Sequence, residues 1–262
     1  MHLSGFGKMK RPVIYIGFDG RESEAYEVLH DSIREYNKEY DIVPLKQQAL
    51  RRANLYRRSA RLDSIDGKRV MVDVFDGRPF STEFTFTRFL IPALNQYEGL
   101  ALFMDSDMLV RTNINELFEE YGNRDYAIQC VKHNYNPSAT VKMDGQIQQQ
   151  YNRKNWSSLV LWNCGHEGNL RLTVDDVNTK SGSWLHGFSW LEDEEIGGIH
   201  EEWNWLDGWS SESISPKNVH FTTGGPWFKE WEPKRQIDAE YAGDWHVRAN
   251  KIFYDNAIGD VI

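Results

Sequence analysis

Cysteine is scarce in this 262-residue sequence: Cys130 and Cys164 are the only two, far apart and without a CxxC spacing. That excludes a disulfide framework and points to a reducing, cytoplasmic setting. Long apolar runs are missing as well. No window approaches 18 consecutive apolar residues, and the opening MHLSGFGKMKRP has no apolar stretch behind its basic residues, so neither a membrane-spanning helix nor a secretory leader is expected. The expectation is a soluble protein, at most peripherally attached to a membrane. Basic charge is in deficit, with 30 Lys and Arg against 39 Asp and Glu. The resulting field repels a phosphate backbone and excludes generic nucleic-acid binding. It does not exclude a nucleotide ligand, because a bound divalent cation reverses the local field. There is no internal repeat, no low-complexity linker and no composition shift that would split the chain, so one domain is expected. Tryptophan is absent from the first 155 residues; all ten lie at or after Trp156.

What is present reads as an alternating α/β pattern. Residues 13–18 (VIYIGF) form a short apolar run ending in Asp19-Gly20, a buried strand followed by a turn. Ala25, Val28, Leu29 and Ile33 then recur at helical spacing, and strand, turn, helix is the opening of an α/β fold. Further strands are expected at 42–45, 69–75, 100–104, 126–131 and 157–162. Residues 81–94 read as a helix that Ser81 and Glu83 would start and Pro92 would bend or end. Asn113-Ile-Asn-Glu116 resembles a capping box that opens a short helix through Phe118, and Thr173-x-x-Asp176 reads as a further helix start. Five arginines between 51 and 61 (Arg51, Arg52, Arg57, Arg58, Arg61) read first as a solvated helix face, with an anionic acceptor or a membrane surface as the alternative.

The chemistry centres on Asp105-Ser106-Asp107, directly after the apolar run 100–104. In extended chain residues i and i+2 point to one side, so the two aspartates can aim at one point while Ser106 faces away. At the carboxyl end of a central strand that point is the ligand crevice of an open α/β sheet. Two carboxylates this close repel each other unless a cation lies between them, and oxygen ligands suit Mg²⁺ or Mn²⁺. Such an ion can bridge a diphosphate and stabilise it as a leaving group. The motif alone is common, and a pair of turn-forming aspartates would look the same.

Around it, an ordered set of segments resembles the GT-A glycosyltransferases, and among them the family-8-like group typified by glycogenin and bacterial lipopolysaccharide galactosyltransferases. Residues 81–92 (STEFTFTRFLIP) resemble that group's helix before the metal motif, and 102–109 (LFMDSDML) its strand and DxD. Residues 157–163 (SSLVLWN) resemble its "NSGVMLWN" strand, Trp203-Asn204 its "WN", and 220–227 (HFTTGGPW) its "HxxGxxKPW" signature. The resemblance implies a single mixed, mostly parallel sheet flanked by helices, with about 12–130 as the nucleotide-sugar half and about 131–262 as the acceptor half. It implies His220 as a third metal ligand beside Asp105 and Asp107, and Mn²⁺ (or Mg²⁺) as cofactor. Phe18, Asp19, Arg88, Asp105, Ser106, Asn163, Gly224, Gly225 and Trp227 would line a UDP-sugar donor. Asp193 and Glu194, set against the group's "DQD", would be the catalytic carboxylates; a solvated helix start reads equally well. His186, Trp184 and Trp190 are expected to face a glycan acceptor, since indole faces stack on sugar rings; core packing must account for most of the other tryptophans. Departures are plain: no Lys occupies 224–227, and Trp156-Ser157-Ser158 replaces Asn-Ser-Gly. The implied reaction is transfer of a hexose to a glycan hydroxyl with retention of configuration. A nucleotidyltransferase, for which Gly17-Phe-Asp-Gly-Arg21 is a poor phosphate loop, and a non-catalytic carbohydrate-binding protein are the rival readings.

Overall fold

The structure, a computed structural model, describes residues 11–65, 67–133 and 156–254; the opening segment 1–10, read above for a leader, lies outside them. Six strands form the central sheet: β1 (Val13–Gly17), β2 (Asp41–Leu45), β6 (Leu100–Met104), β8 (Ile128–Cys130), β9 (Leu159–Asn163) and β10 (Ile196–Gly198). Their order is β10-β8-β9-β6-β1-β2, and β9 alone runs against the others. β3 (Ala60–Ile65), β4 (Lys68–Asp73) and β5 (Pro79–Phe80) make a separate antiparallel meander. β7 (Met108–Val110), β11 (Trp205–Leu206) and β12 (Asn218–His220) make a third sheet, in the order β11-β12-β7.

The apolar runs are continuous because both faces of the central sheet are covered. Alternate residues go to different cores. Ile14, Ile16, Leu102, Met104, Leu159 and Leu161 join helix α1 (Ser23–Tyr36) and the helix Asn115–Tyr121 on one face. Tyr15, Ala101, Phe103, Val160 and Trp162 join Phe89, Phe188 and Trp190 on the other. A third core forms where Leu109, Trp205, Val219 and Phe221 meet Tyr241 and Trp245 of the long C-terminal helix Gln236–Phe253. β9, from the second half of the chain, sits between β6 and β8 of the first, so the two halves share one sheet.

Three local expectations change. Residues 81–94 are not one helix: turns lead into a 3₁₀ segment Thr87–Leu90 and a short helix Ile91–Leu94. Thr82, Thr85, Thr87 and three phenylalanines are poor helix formers, the Thr82 and Thr85 hydroxyls pair at 3.1 Å, and Phe84, Phe86, Arg88 and Phe89 are all buried. Pro92 therefore opens the short helix, where its missing N–H costs nothing, instead of ending a long one. The helix expected from Asn113 starts at Asn115; Asn113 Oδ1 accepts from Asn115 N at 2.9 Å, and Glu116 takes the Thr112 hydroxyl instead of closing a box. The Thr173–Asp176 capping box is present. In the arginine cluster, Arg58 is buried, not solvated. Its guanidinium grips Asp73 at 2.5 and 3.2 Å, donates to the carbonyls of Val177 and Lys180, and lies 4.0 Å from the Phe86 ring centroid.

Candidate metal centre

The central strand β6 carries Asp105 to the edge of the sheet towards which β1, β6, β8 and β10 all point. The ladder with β9 continues one step further, and Asp105 N donates to Ser158 O at 2.9 Å. The chain turns through buried Ser106 and enters β7, which pairs antiparallel with β12 so that His220 faces Met108. Phe221 N then donates to Asp107 O at 2.9 Å. A strand pairing thus places a histidine from late in the chain beside the second aspartate. His220 Nε2 lies 3.3 Å from Asp107 Oδ1, and one ligand atom each from Asp105, Asp107 and His220 fall within 4.8 Å of one another.

The donor set fits a hard-to-borderline divalent cation: two carboxylate oxygens and one imidazole nitrogen. Ligands of one octahedral ion at about 2.1 Å lie roughly 3 to 4 Å apart, so small side-chain movements close the three atoms onto one ion. The imidazole is prepared for ligation. Its Nδ1 is 2.9 Å from Asn204 Oδ1, and a carboxamide oxygen only accepts, so Nδ1 carries the proton and Nε2 presents its lone pair towards Asp107. Asn204, with no exposed surface, is held in turn by its Nδ2 donating to Ser158 Oγ at 2.9 Å. Arg88 does the corresponding service for Asp105. Its guanidinium is buried between the rings of Phe84 and Phe103, donates to Ser157 O at 2.8 Å and meets Asp105 Oδ1 at 2.8 Å. That positive charge offsets part of the repulsion between the two aspartates.

Two buried groups nearby are perturbed. Burial pushes the Asp207 carboxyl up to about 7, with His220 pulling the other way, and its Oδ1 accepts from Thr222 N at 2.9 Å. Burial, reinforced by His220, pushes the His133 imidazole down to about 3 and leaves it neutral.

The other expected residues divide by their place on the sheet. Asp19 lies two residues past the end of β1, the strand next to that of Asp105, but its carboxylate is fully buried and taken by Arg21 and by Glu83 N. Burial alone would raise its pKa; the Arg21 hydrogen bonds outweigh it and hold the group below the usual range. Phe18 beside it carries Lys46 Nζ 4.8 Å above its ring. Gly224 takes a positive φ of 111°, and a Cβ on Gly225 would fall 2.0 Å from the Trp227 ring. Trp227 packs on Phe221 and Trp245, so it ties the loop after His220 to the C-terminal helix.

Asn163 ends the reversed strand β9 and pairs with Leu100, which puts it at the far edge of the sheet. It is the 3₁₀ turn just before β9, with Ser157 and Ser158, that meets Asp105 and Arg88. Asp193 and Glu194 are exposed and precede β10, whose Ile196 is level with Ile128 and, through Trp162, with Ala101. At about 3.3 Å per residue they stand roughly 15 Å or more from Asp105 along the strand axis, on the opposite edge. Trp190 is buried and stacked on Trp162 at 6.3 Å, a core residue and not a sugar platform. Trp184 packs partly against it. His186 is buried too; its Nδ1 pairs with Ser157 Oγ at 2.8 Å, one residue from the Ser158 that holds Asn204.

Strand order, one reversed strand and an acidic turn backed by a histidine strand define the GT-A glycosyltransferase fold, and solved structures agree. The glycosyltransferase GlyE of Streptococcus pneumoniae matches with a TM-score of 0.55 at 15% identity, over 94% of this chain and 64% of that one. The WbbM bifunctional glycosyltransferase matches at 0.53 and 16%, over 94% and 53%. The galactosyltransferase LgtC, solved with donor and acceptor sugar analogs, matches at 0.51 and 14%, over 90% and 99%. The chain thus spans about half to two-thirds of the length of WbbM and GlyE. No protein-family model matches it. By sequence it belongs to the same family as Protein CDI of Arabidopsis thaliana, with which it is 42% identical over 261 residues, 95% of this chain and 92% of the other. No helix among the described residues is long and apolar enough to cross a membrane.

Proposed function

We propose that the chain is a metal-dependent glycosyltransferase that moves a hexose from a nucleoside diphosphate, UDP, to a glycan hydroxyl with retention of configuration, in the cytoplasm. The observation that carries this is the Asp105–Asp107–His220 cluster at the carboxyl edge of a GT-A sheet, with its imidazole already presented through Nε2. These three residues would hold Mn²⁺ or Mg²⁺, which when bound supplies charge neutralisation at the departing diphosphate.

The chain's own residues supply position and field. Arg88 fixes the Asp105 carboxylate, and Asn204, steadied by Ser158, fixes the tautomer and plane of His220. Gly224 and Gly225 allow the backbone after His220 to approach phosphate oxygens closely. The bond that breaks joins the anomeric carbon to a phosphate oxygen, which leaves with the electron pair; the bond that forms joins that carbon to the acceptor oxygen, whose proton leaves with the diphosphate or to solvent. Asp193 and Glu194 stand too far from this point to act on it.

The test is hydrolysis and transfer with a panel of nucleotide sugars in the presence of Mn²⁺, comparing the parent with Asp107→Ala. Turnover of at least one donor that falls by about a hundredfold or more in the variant is expected, because the variant lacks a ligand to the cation that would offset charge on the leaving diphosphate. Absence of donor binding and turnover with Mn²⁺ present refutes the reading.

A further inference from the structure

A cavity of about 590 Å³ opens where β8 and β10 end, a volume within the roughly 300–1,000 Å³ of small-ligand sites. Its position follows from the strand pairings. Val131 to His133 continue β8, and Ile199 to Glu201 continue β10 past the same edge that carries Asp105; the ladder runs on as Ile199 N donates to Cys130 O at 2.9 Å. On its other wall stands Leu206 of β11, the register partner of His220. Directly paired residues send their side chains to one face of a sheet, so the cavity and the metal-facing imidazole share a face of the small sheet. His133 joins the two: it lines the cavity and hydrogen-bonds the Asn204 backbone.

The lining is amphipathic. Ile199, Leu206 and Ile214 give an apolar floor, while Glu201, Ser210 and Trp209 give one carboxylate, one hydroxyl and one indole. Glu201 Oε1 accepts from Ser210 Oγ; a carboxylate has about four acceptor positions, and this bond uses one. Trp209 is 43% exposed, while Trp162, Trp190, Trp203, Trp205 and Trp245 are buried. The indole does not hang loose. It sits on a tight turn in which Trp209 N and Ser210 N both donate to Leu206 O, and Ser210 Oγ receives Leu206 N. Gly208, at φ +69°, donates to the fully buried Asp238, and Lys234 lies against that glycine with its Nζ 5.4 Å from the indole centroid. A rigid, exposed indole beside a carboxylate and an apolar floor is a combination with one good ligand class: the apolar face of a pyranose stacks on the ring while its rim hydroxyls donate to the carboxylate.

We propose that this cavity binds a neutral saccharide unit of the acceptor, with Trp209 as the stacking platform and Glu201 as the hydroxyl acceptor. Its assignment as the acceptor site rests on the glycosyltransferase reading above; the saccharide site itself does not. The test uses the full chain without nucleotide or metal and a panel of methyl glycosides and disaccharides (glucosides, galactosides, mannosides, xylosides, maltose, cellobiose, lactose). Binding is followed by ligand-observed saturation-transfer NMR and by tryptophan fluorescence. At least one sugar binds the parent, and Trp209→Ala weakens it about tenfold or more, the loss expected when an aromatic hot spot is truncated. Glu201→Gln weakens it less, and both variants bind Mn²⁺ like the parent. No binding across the panel, or binding indifferent to Trp209→Ala, overturns the proposal. Saccharide binding at Trp209 in a chain that turns over no nucleotide sugar upholds the site and overturns the transferase reading instead; donor turnover without saccharide binding does the reverse.

Discussion

Asn204→Ala is the sharpest test of how the metal centre is built. Asn204 is fully buried and does two things: its Oδ1 accepts the Nδ1 proton of His220, and its Nδ2 donates to Ser158 Oγ. Removing the carboxamide strands both partners. A buried polar group left without its bond costs about 1–3 kcal/mol, so the variant should lose roughly 2–4 kcal/mol of stability after water partly fills the gap. The effect on metal is separable. With Nδ1 released, the imidazole can exchange tautomers and rotate, and Nε2 no longer presents its lone pair by default. Loss of such a supporting bond costs about 10–100-fold in metal affinity, or about 1.4–2.7 kcal/mol. Asn204→Asp keeps an acceptor at Nδ1 and makes the imidazole a better donor to metal, so its affinity should equal or exceed that of the parent. Free Mn²⁺ measured by electron paramagnetic resonance during a titration gives the affinities, and urea unfolding gives the stabilities. An alanine variant that stays folded and binds Mn²⁺ as tightly as the parent would refute the assignment of Nε2 as a ligand.

Two further predictions concern the scaffold. Arg58→Met leaves Asp73 as an uncompensated buried charge, since both side chains are 1% exposed, and should cost about 3–5 kcal/mol; adding Asp73→Leu should restore about half or more, and a single-variant loss below about 1 kcal/mol in urea would show that the pair is not a structural tie. His133 is neutral when folded, its pKa held near 3 chiefly by burial, whereas the unfolded chain takes up a proton below about 6.5. The unfolded state therefore binds more protons on acidification, and stability falls as pH drops from about 6.5 towards 3, by up to about 1.4 kcal/mol per pH unit from this group. His133→Gln should flatten that part of the stability–pH profile; an unchanged slope would assign it to other groups.

Much of the sheet could be read from the sequence because its strands are covered on both faces. VIYIG, LALFM and LVLWN stand out as apolar runs for that reason. The aspartate pair was legible because its spacing matches the strand period. Three things were not. Residues 81–94 show apolar spacing that suits a helix, but burial on every side replaces it with tight turns around Arg88. The reversal of β9 is invisible in its own residues, and it decides that Ser157 and Ser158 reach the site while Asn163 does not. Asn204 stands in the Trp203-Asn204 pair, but its bonds to His220 and Ser158 are not written there, and no local pattern marks His133 or Trp209. Trp209 differs from Trp190 only in what packs over it: one sits on an exposed turn, the other against Trp162.

The pairing of β12 with β7 joins Asn218 to Val110, more than about 100 residues earlier, and β9 reaches back across more than about 50 to β6. Contacts of such long range form slowly, because the loop they close must be ordered before they contribute. His220 therefore meets Asp107 only once β12 has paired with β7. Neither half of the chain expressed alone can present the three ligands, and a divalent ion cannot seed folding from a fragment. In refolding, the appearance of a tight Mn²⁺ site would mark arrival at the native topology itself, and would lag behind the recovery of helix and strand signals.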